Sequence, residues 1–187
     1  MDVKAKKLRR EGYVTGNLFG REIEGSIPLK FTKKEIEVLL KNNNKGSQVM
    51  LELDGKTYDA LIKEVDYNPL AHTVEEVDFQ ALVSNEMVHS VAEIILENEE
   101  MVVSGVLQDE LKEVAYKALP ADLVDKIKVD VAGMKIGDTL RVKDLEIAKN
   151  KNIHITTDLE SVIATVTPVH NVVPEAETET EDAAEEK

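Results

Sequence analysis

Residues 48–65 read QVMLEL-DG-KTYDALIKEV. Two strand-like runs joined by Asp54-Gly55 form the strongest short-range hairpin signal. In the first arm Val49, Leu51 and Leu53 alternate with Met50 and Glu52. In the second, Tyr58, Ala60 and Ile62 alternate with Asp59, Leu61 and Lys63. Each arm therefore has one apolar face. Upstream, Thr32 and Glu35 form a capping box opening KKEIEVLLK, in which Ile36, Leu39 and Leu40 recur at helical spacing. Asn42, Asn43, Asn44 and Gly46 end this helix. Before it lie two short strands, in GNLFG and GSIPLKF; after the hairpin, Asn68-Pro69 turns the chain into TVEEVDFQAL, a further strand. Residues 1–82 are thus expected to form a mostly β domain with a helix after its second strand.

Residues 83–170 carry the alternating runs VHSVAEIIL, ELKEVAYKAL, DKIKVDVAGM, GDTLRVKDL and SVIATVTPV, punctuated by Gly105, Pro120, Gly133 and Gly137. About five strands predict a small antiparallel β domain. ELKEVAYKAL also reads as a helix. Residues 171–187 include PEAETETEDAAEEK, an acidic stretch too poor in large apolar residues to offset its ordering entropy, and are expected to be a disordered tail. The expected cores are Leu39, Val49, Leu51, Ile62, Val65 and Phe79 in the first domain, and Ile94, Val106, Leu111, Ile127, Val129, Val131, Leu140 and Val166 in the second. The fold class is mainly β with minor α.

Within 187 residues, 42% hydrophobic and 32% charged, there is enough apolar material for a buried core. The chain has no cysteine, which removes disulfide scaffolds, thiol catalysis and Cys-type metal sites. No apolar run is long enough to span a bilayer, and no apolar stretch follows the basic start MDVKAKKLRREG, so neither a membrane span nor a signal peptide is expected. A cytoplasmic location is expected. The net charge of −14 is unevenly distributed. Residues 1–47 hold 11 Lys/Arg against 6 Asp/Glu, including Arg9, Arg10 and Arg21, three of the four arginines. The remainder is acidic. A basic head on an acidic protein can bind nucleic acid locally, or can simply be a solvated N-terminus.

The sequence contains no glycine-rich phosphate loop, HExxH or GxSxG. His72, His89, His154 and His170 are far apart in sequence, and none is at metal spacing with another ligand. Glu75, Glu76 and Asp78 on a strand read as a solvated acidic face. Neither an enzyme active site, nor a cofactor or metal, nor a small-molecule substrate is expected.

The order of the motifs carries more than any one of them. LRREGYVTGNLFG, then a strand and a helix, then LDGKTYDALIKEVDYNPLAHTVEEVDF resembles the bacterial large-subunit ribosomal protein L-twenty-five family, in the longer two-domain form called the general stress protein Ctc. Arg9, Arg10, Gly12, Phe19 and Gly20 match the family's head, and Ile62-Lys63, Pro69 and Val77-Asp78-Phe79 match its second signature. GVLQDELKEVAYKALPADLVDKIKVDVAGMKIGDTLRVKDL resembles the family's C-terminal β domain. The likeness covers residues 5–170.

The resemblance implies an N-terminal β barrel that binds 5S ribosomal RNA along the minor-groove face of an internal loop, with large-subunit proteins as further partners. A-form helices are read by shape, 2′-hydroxyls and phosphates. The candidate RNA contacts are Lys7, Arg9, Arg10, Phe19, Arg21 and Asp78. Arg9 and Arg10 would meet phosphates or guanine edges, and Asp78 would accept from a base amino group or a 2′-hydroxyl. Phe19 stands where the family has Tyr, Thr15 where it has Pro, and Glu76 where it has His. Only eight residues precede Arg9, so the family's first strand and its Gly-Lys-Gly-Ala-type loop are largely missing. Two functions remain open. One is a structural component of the large ribosomal subunit that binds 5S RNA and is constitutive or stress-associated. The other is a diverged paralogue acting as a protein-interaction or stress factor off the ribosome.

Overall fold

The computed structural model describes residues 5–102 and 105–168; the acidic tail lies outside them. The hairpin at Asp54-Gly55 forms as its sequence predicts. Strand β3 (Gln48–Leu53) pairs antiparallel with β4 (Lys56–Asn68), and the register sets Val49 opposite Ala60 and Leu51 opposite Tyr58. Asp54 and Gly55 both take positive φ, 49° and 77°. A two-residue turn needs this backbone to match the right-handed twist of the strands it joins.

The hairpin belongs to a five-stranded sheet that curls into a half-barrel. Its other members are β1 (Tyr13–Phe19), β2 (Ser26–Thr32) and β5 (Thr73–Ala81), in the order β2-β1-β5-β4-β3. All neighbours are antiparallel except β1 and β5, which run parallel. Helix α2 (Lys33–Asn42) follows β2 and is capped by Thr32 and Glu35 as expected. It buries Ile36 against the concave face, with Leu39 and Leu40 at the margin. Val14, Leu18, Leu29, Val49, Leu51, Ala60, Ile62, Val77 and Phe79 form the rest of this core. Val65 is only partly buried.

Helix α1 (Ala5–Arg10) precedes β1 and was not foreseen. Its sequence, AKKLRR, contains only good helix formers, and its last-turn cations suit the helix dipole. Six residues carry too little periodicity to reveal it in advance.

The C-terminal part is built from two further sheets. One has the order β11-β8-β6-β9, from β6 (Val88–Glu97), β8 (Glu113–Ala118), β9 (Lys126–Asp130) and β11 (His154–Ile155). The other has the order β10-β12-β7, from β7 (Val106–Asp109), β10 (Thr139–Arg141) and β12 (Val162–Thr167). Pairing is antiparallel except between β6 and β9. Residues 113–118 are strand, which resolves the helix–strand ambiguity of ELKEVAYKAL. Val114, Tyr116 and Ala118 alternate inward, so the period of two prevails once a core is there to receive it. Val106, expected in the core, is 49% exposed. It lies on the edge strand β7, and the residue that packs inward there is Leu107.

Tyr116 is the largest fully buried side chain. Its hydroxyl donates to the Val124 carbonyl at 2.6 Å and accepts from the Val124 amide at 2.8 Å. Burial pushes this phenol above its ordinary pKa, against the lowering effect of the Val124 bond.

Gly16 on β1 marks the tightest approach within the first sheet. A Cβ added there would lie 2.0 Å from the carbonyl oxygen of Val77 on β5.

Two substitutions test these features. Gly16→Ala must push β1 from β5 and should destabilise the protein by roughly 1–3 kcal/mol. Denaturant melts would show a lowered midpoint. Tyr116→Phe keeps the ring but strands both backbone groups of Val124, at a cost of about 1–3 kcal/mol. A midpoint equal to wild type would mean that water replaces the hydroxyl.

Candidate nucleic-acid interface

The convex face of the first sheet is set by strand parity. Val14, Gly16 and Leu18 of β1 are buried on one side, so Thr15, Asn17 and Phe19 point to the other. The register then builds rows across the sheet. Lys30 of β2, Thr15, Glu76 of β5 and Asp66 of β4 form one. Ser26, Phe19, Gln80 and Leu61 form another. Between them lie Asn17, Asp78 and Glu64.

Two irregularities adjust this pattern. The β4–β5 register shifts between Ile62 and Glu64 and again between Asp66 and Tyr67. The first leaves Lys63 as the extra residue of β4, and the second leaves Glu75 as the extra residue of β5. Bulges of this kind re-aim side chains. Here Glu75 and Glu76, adjacent in sequence, both reach Arg9.

Arg9 projects from α1 onto this face. Its Nη2 donates to Glu76 Oε2 at 2.7 Å and its Nε to Thr15 Oγ1 at 2.9 Å, while Nη1 lies 4.0 Å from Glu75 Oε2. The side chains of Arg9 and Glu76 are 31% and 29% exposed. A pair of this exposure contributes about 1 kcal/mol. Thr15 and Glu76, the positions where the resemblance led us to expect Pro and His, are both partners of Arg9. Arg9 thereby offsets the negative charge at position 76, and its guanidinium is committed within the protein.

Asp78 Oδ1 accepts from the Asn17 amide at 3.0 Å and from Asn17 Nδ2 at 3.2 Å. With Glu64, Asp66 and Glu76 it lines a shallow hollow of about 210 Å³. Four carboxylates in a strip repel phosphates, but they accept hydrogen bonds. They suit hydroxyl and amino donors.

The remaining candidates are dispersed. Arg10 is exposed and lines a second hollow, about 410 Å³, with Lys6, Arg9 and Glu75. Lys7 is 71% exposed, with Glu11 3.9 Å away. Phe19 is half-buried on the convex face, outside the core cluster, where its ring can pack on a ligand. Arg21 follows the far end of β1 from Arg9 and lies 3.6 Å from Glu86. The structure thus gathers Arg9, Arg10, Phe19 and Asp78 on or beside one sheet face, with Lys7 on the helix alongside, and places Arg21 apart. Asn17, Lys30 and Gln80 also belong to this face and were missed. The parity of β1 would have found Asn17; Lys30, stacked 3.7 Å over the Tyr13 ring, required the β1–β2 register.

Comparisons with known proteins give the chain's relatives. Residues 2–79 match the Ribosomal L25p family, and residues 87–170 match the C-terminal domain of ribosomal protein TL5. The large ribosomal subunit protein bL25 of Carboxydothermus hydrogenoformans is 33% identical over 181 residues, covering 96% of this chain and 89% of the relative. That of Caldicellulosiruptor saccharolyticus is 33% identical over 92% of this chain and 84% of its own. That of Akkermansia muciniphila is 29% identical over 97% and 90%. With two family domains matched in order and a third of residues shared along nearly the whole length, the chain belongs to the bacterial ribosomal L25 family.

Proposed function

We propose that this protein is a structural component of the large ribosomal subunit, cytoplasmic with the ribosome, and that it binds 5S ribosomal RNA through the convex face of β1, β5 and β4. The observation that carries the reading is the convergence of Arg9, Arg10 and Phe19 from the head with Asp78, some 60 residues later, on and beside that face. Residues 1–82 form the RNA-binding domain, 83–170 a second β domain turned to other parts of the particle, and 171–187 an acidic tail. Its work is binding rather than catalysis.

The chemistry is that of a minor-groove reader. Arg10, Lys7 and Lys6 meet phosphates at the groove's edge. Phe19 packs on an exposed base or ribose. Asp78 and its neighbours accept from 2′-hydroxyls and from guanine amino groups, which project into the minor groove. Arg9 acts chiefly by holding Glu76 neutralised and α1 in place.

The carboxylate strip favours a second reading, a paralogue whose RNA affinity has fallen and whose partner is a protein. It requires the protein to leave large subunits in a high-salt wash.

Titration against a 5S RNA fragment carrying the internal loop, at two salt concentrations, separates the two. The ribosomal reading expects tight binding that weakens with salt. Arg10→Ala should reduce affinity and flatten the salt slope by about one unit. Binding that is undetectable even at low salt would overturn this reading. Glu76→Gln removes an anion and releases Arg9, and should tighten binding several-fold. Arg9→Ala should lose more affinity than Arg10→Ala, because it also uncovers Glu76. Equal losses would show that the Arg9–Glu76 pair does not shape the interface.

A further inference from the structure

A second cationic surface lies where the two parts of the chain meet. On the outward face of β6, His89 stands directly opposite Lys117 of β8, which in turn stands opposite His154 of β11. Directly opposed residues share a face, so the three form one row across two strand spacings, about 10 Å. The bulged Lys63 of β4 extends the row: its Nζ donates to the His89 carbonyl at 2.8 Å. Lys63, His89 and Lys45 border a hollow of about 240 Å³, in which Glu64 is the one carboxylate.

Among the described residues none of these five groups forms an ion pair with a carboxylate. Two nearby acids are engaged otherwise: Glu93 accepts from Asn44, and Asp125 from the Ser47 hydroxyl at 3.1 Å. Burial first, then Lys45, lowers the pKa of Lys63. Burial first, then Lys117 and Lys63, lowers that of His89. In a protein of net charge −14, three unpaired lysines set this close, with His89 beside them as a neutral hydrogen-bonding ring, leave a surface open to an anion.

We propose that Lys45, Lys63, His89, Lys117 and His154 form a second phosphate-binding surface for RNA, so that the C-terminal part of the chain shares directly in the RNA contact. This inference rests on the RNA-binding function proposed above and assigns a further part of the molecule to it. Continuity and sign favour RNA over an acidic protein. Lys63 is on β4, the strand that carries Glu64 and Asp66 of the carboxylate strip. The strip is thus flanked by cations on both sides, with Arg10, Lys6 and Lys30 on one and the junction cluster on the other. An A-form minor groove has the matching pattern, phosphates along both edges and hydroxyl and amino donors between them. An acidic peptide carries its anions along a single chain and does not present two anionic edges with a row of donors between them.

The junction is built to hold this alignment. A Cβ on Gly46 would lie 1.9 Å from the Val91 carbonyl oxygen, so the loop after α2 seats directly on β6. The Ser90 hydroxyl donates to the Gly46 carbonyl at 3.4 Å. Leu61, on the convex face of β4, is fully buried here.

The test uses the full chain, an internal-loop RNA duplex, amide chemical-shift mapping, and the double variant Lys45→Gln/Lys117→Gln, whose two side chains make no hydrogen bond among the described residues. The expected result is perturbation at Lys45, His89 and Lys117 together with β1 and β5. The double variant should then bind at least several-fold more weakly, with a salt slope lower by roughly 1.5–2. Perturbation confined to α1, β1 and β5, with an unaltered double variant while Arg10→Ala still weakens binding, would overturn the second surface and leave the proposed function intact. Absence of RNA binding by the wild type would overturn both. If polyglutamate shifts the junction residues as strongly as RNA does, the surface belongs to an acidic protein partner, and the RNA assignment fails.

Discussion

The close parallel contact between β1 and β5 is the constraint on which the rest of the first half depends. Gly16 lets the backbone of β1 lie against the Val77 carbonyl, where a methyl group would collide. This contact sets Thr15 beside Glu76 and Phe19 beside Gln80. It joins the head of the chain to a signature some 60 residues later. Without it, β2 and β1 would be a hairpin detached from the β3–β4–β5 meander, and there would be no shared convex face.

Much of this was legible in the sequence, for identifiable reasons. Asp54-Gly55 and the Thr32–Glu35 capping box act over a few residues, and both formed as their chemistry dictates. Alternation placed Val49, Leu51, Ile62 and Phe79 correctly. What failed depended on tertiary context. Leu61 reads as outward-facing by parity, and it is; yet it is fully buried, because the second half covers that patch. Val106 sits on an edge strand whose neighbours no local pattern reveals. The ion pair of Arg9 with Glu76 spans 67 residues and passes through a bulge, so two apparent departures from the family pattern could not be recognised as partners from spacing alone.

Electrostatically, the protein solves an awkward problem. An acidic chain must approach a polyanion, and it does so by segregating its charge. Four carboxylates of the convex face, Glu64, Asp66, Glu76 and Asp78, are gathered into a central strip, and cations lie along its margins. Such a surface offers acceptors to donors at its centre and cations to phosphates at its edges. Bulk net charge is a poor guide to such a surface.

The separation of Thr15 from Glu76 also bears on how the protein is made. At synthesis rates of about 5–20 residues per second, the intervening chain takes roughly 3–12 s to appear. Throughout that interval β1 has no β5, and Arg9 has no Glu76. The nascent head is therefore most strongly basic before the sheet closes, and emergence of β5 is what turns it into a neutralised, shaped surface. In a newly made chain, then, the charge of Arg9 stays uncompensated until β5 has emerged, and closing the sheet is what compensates it.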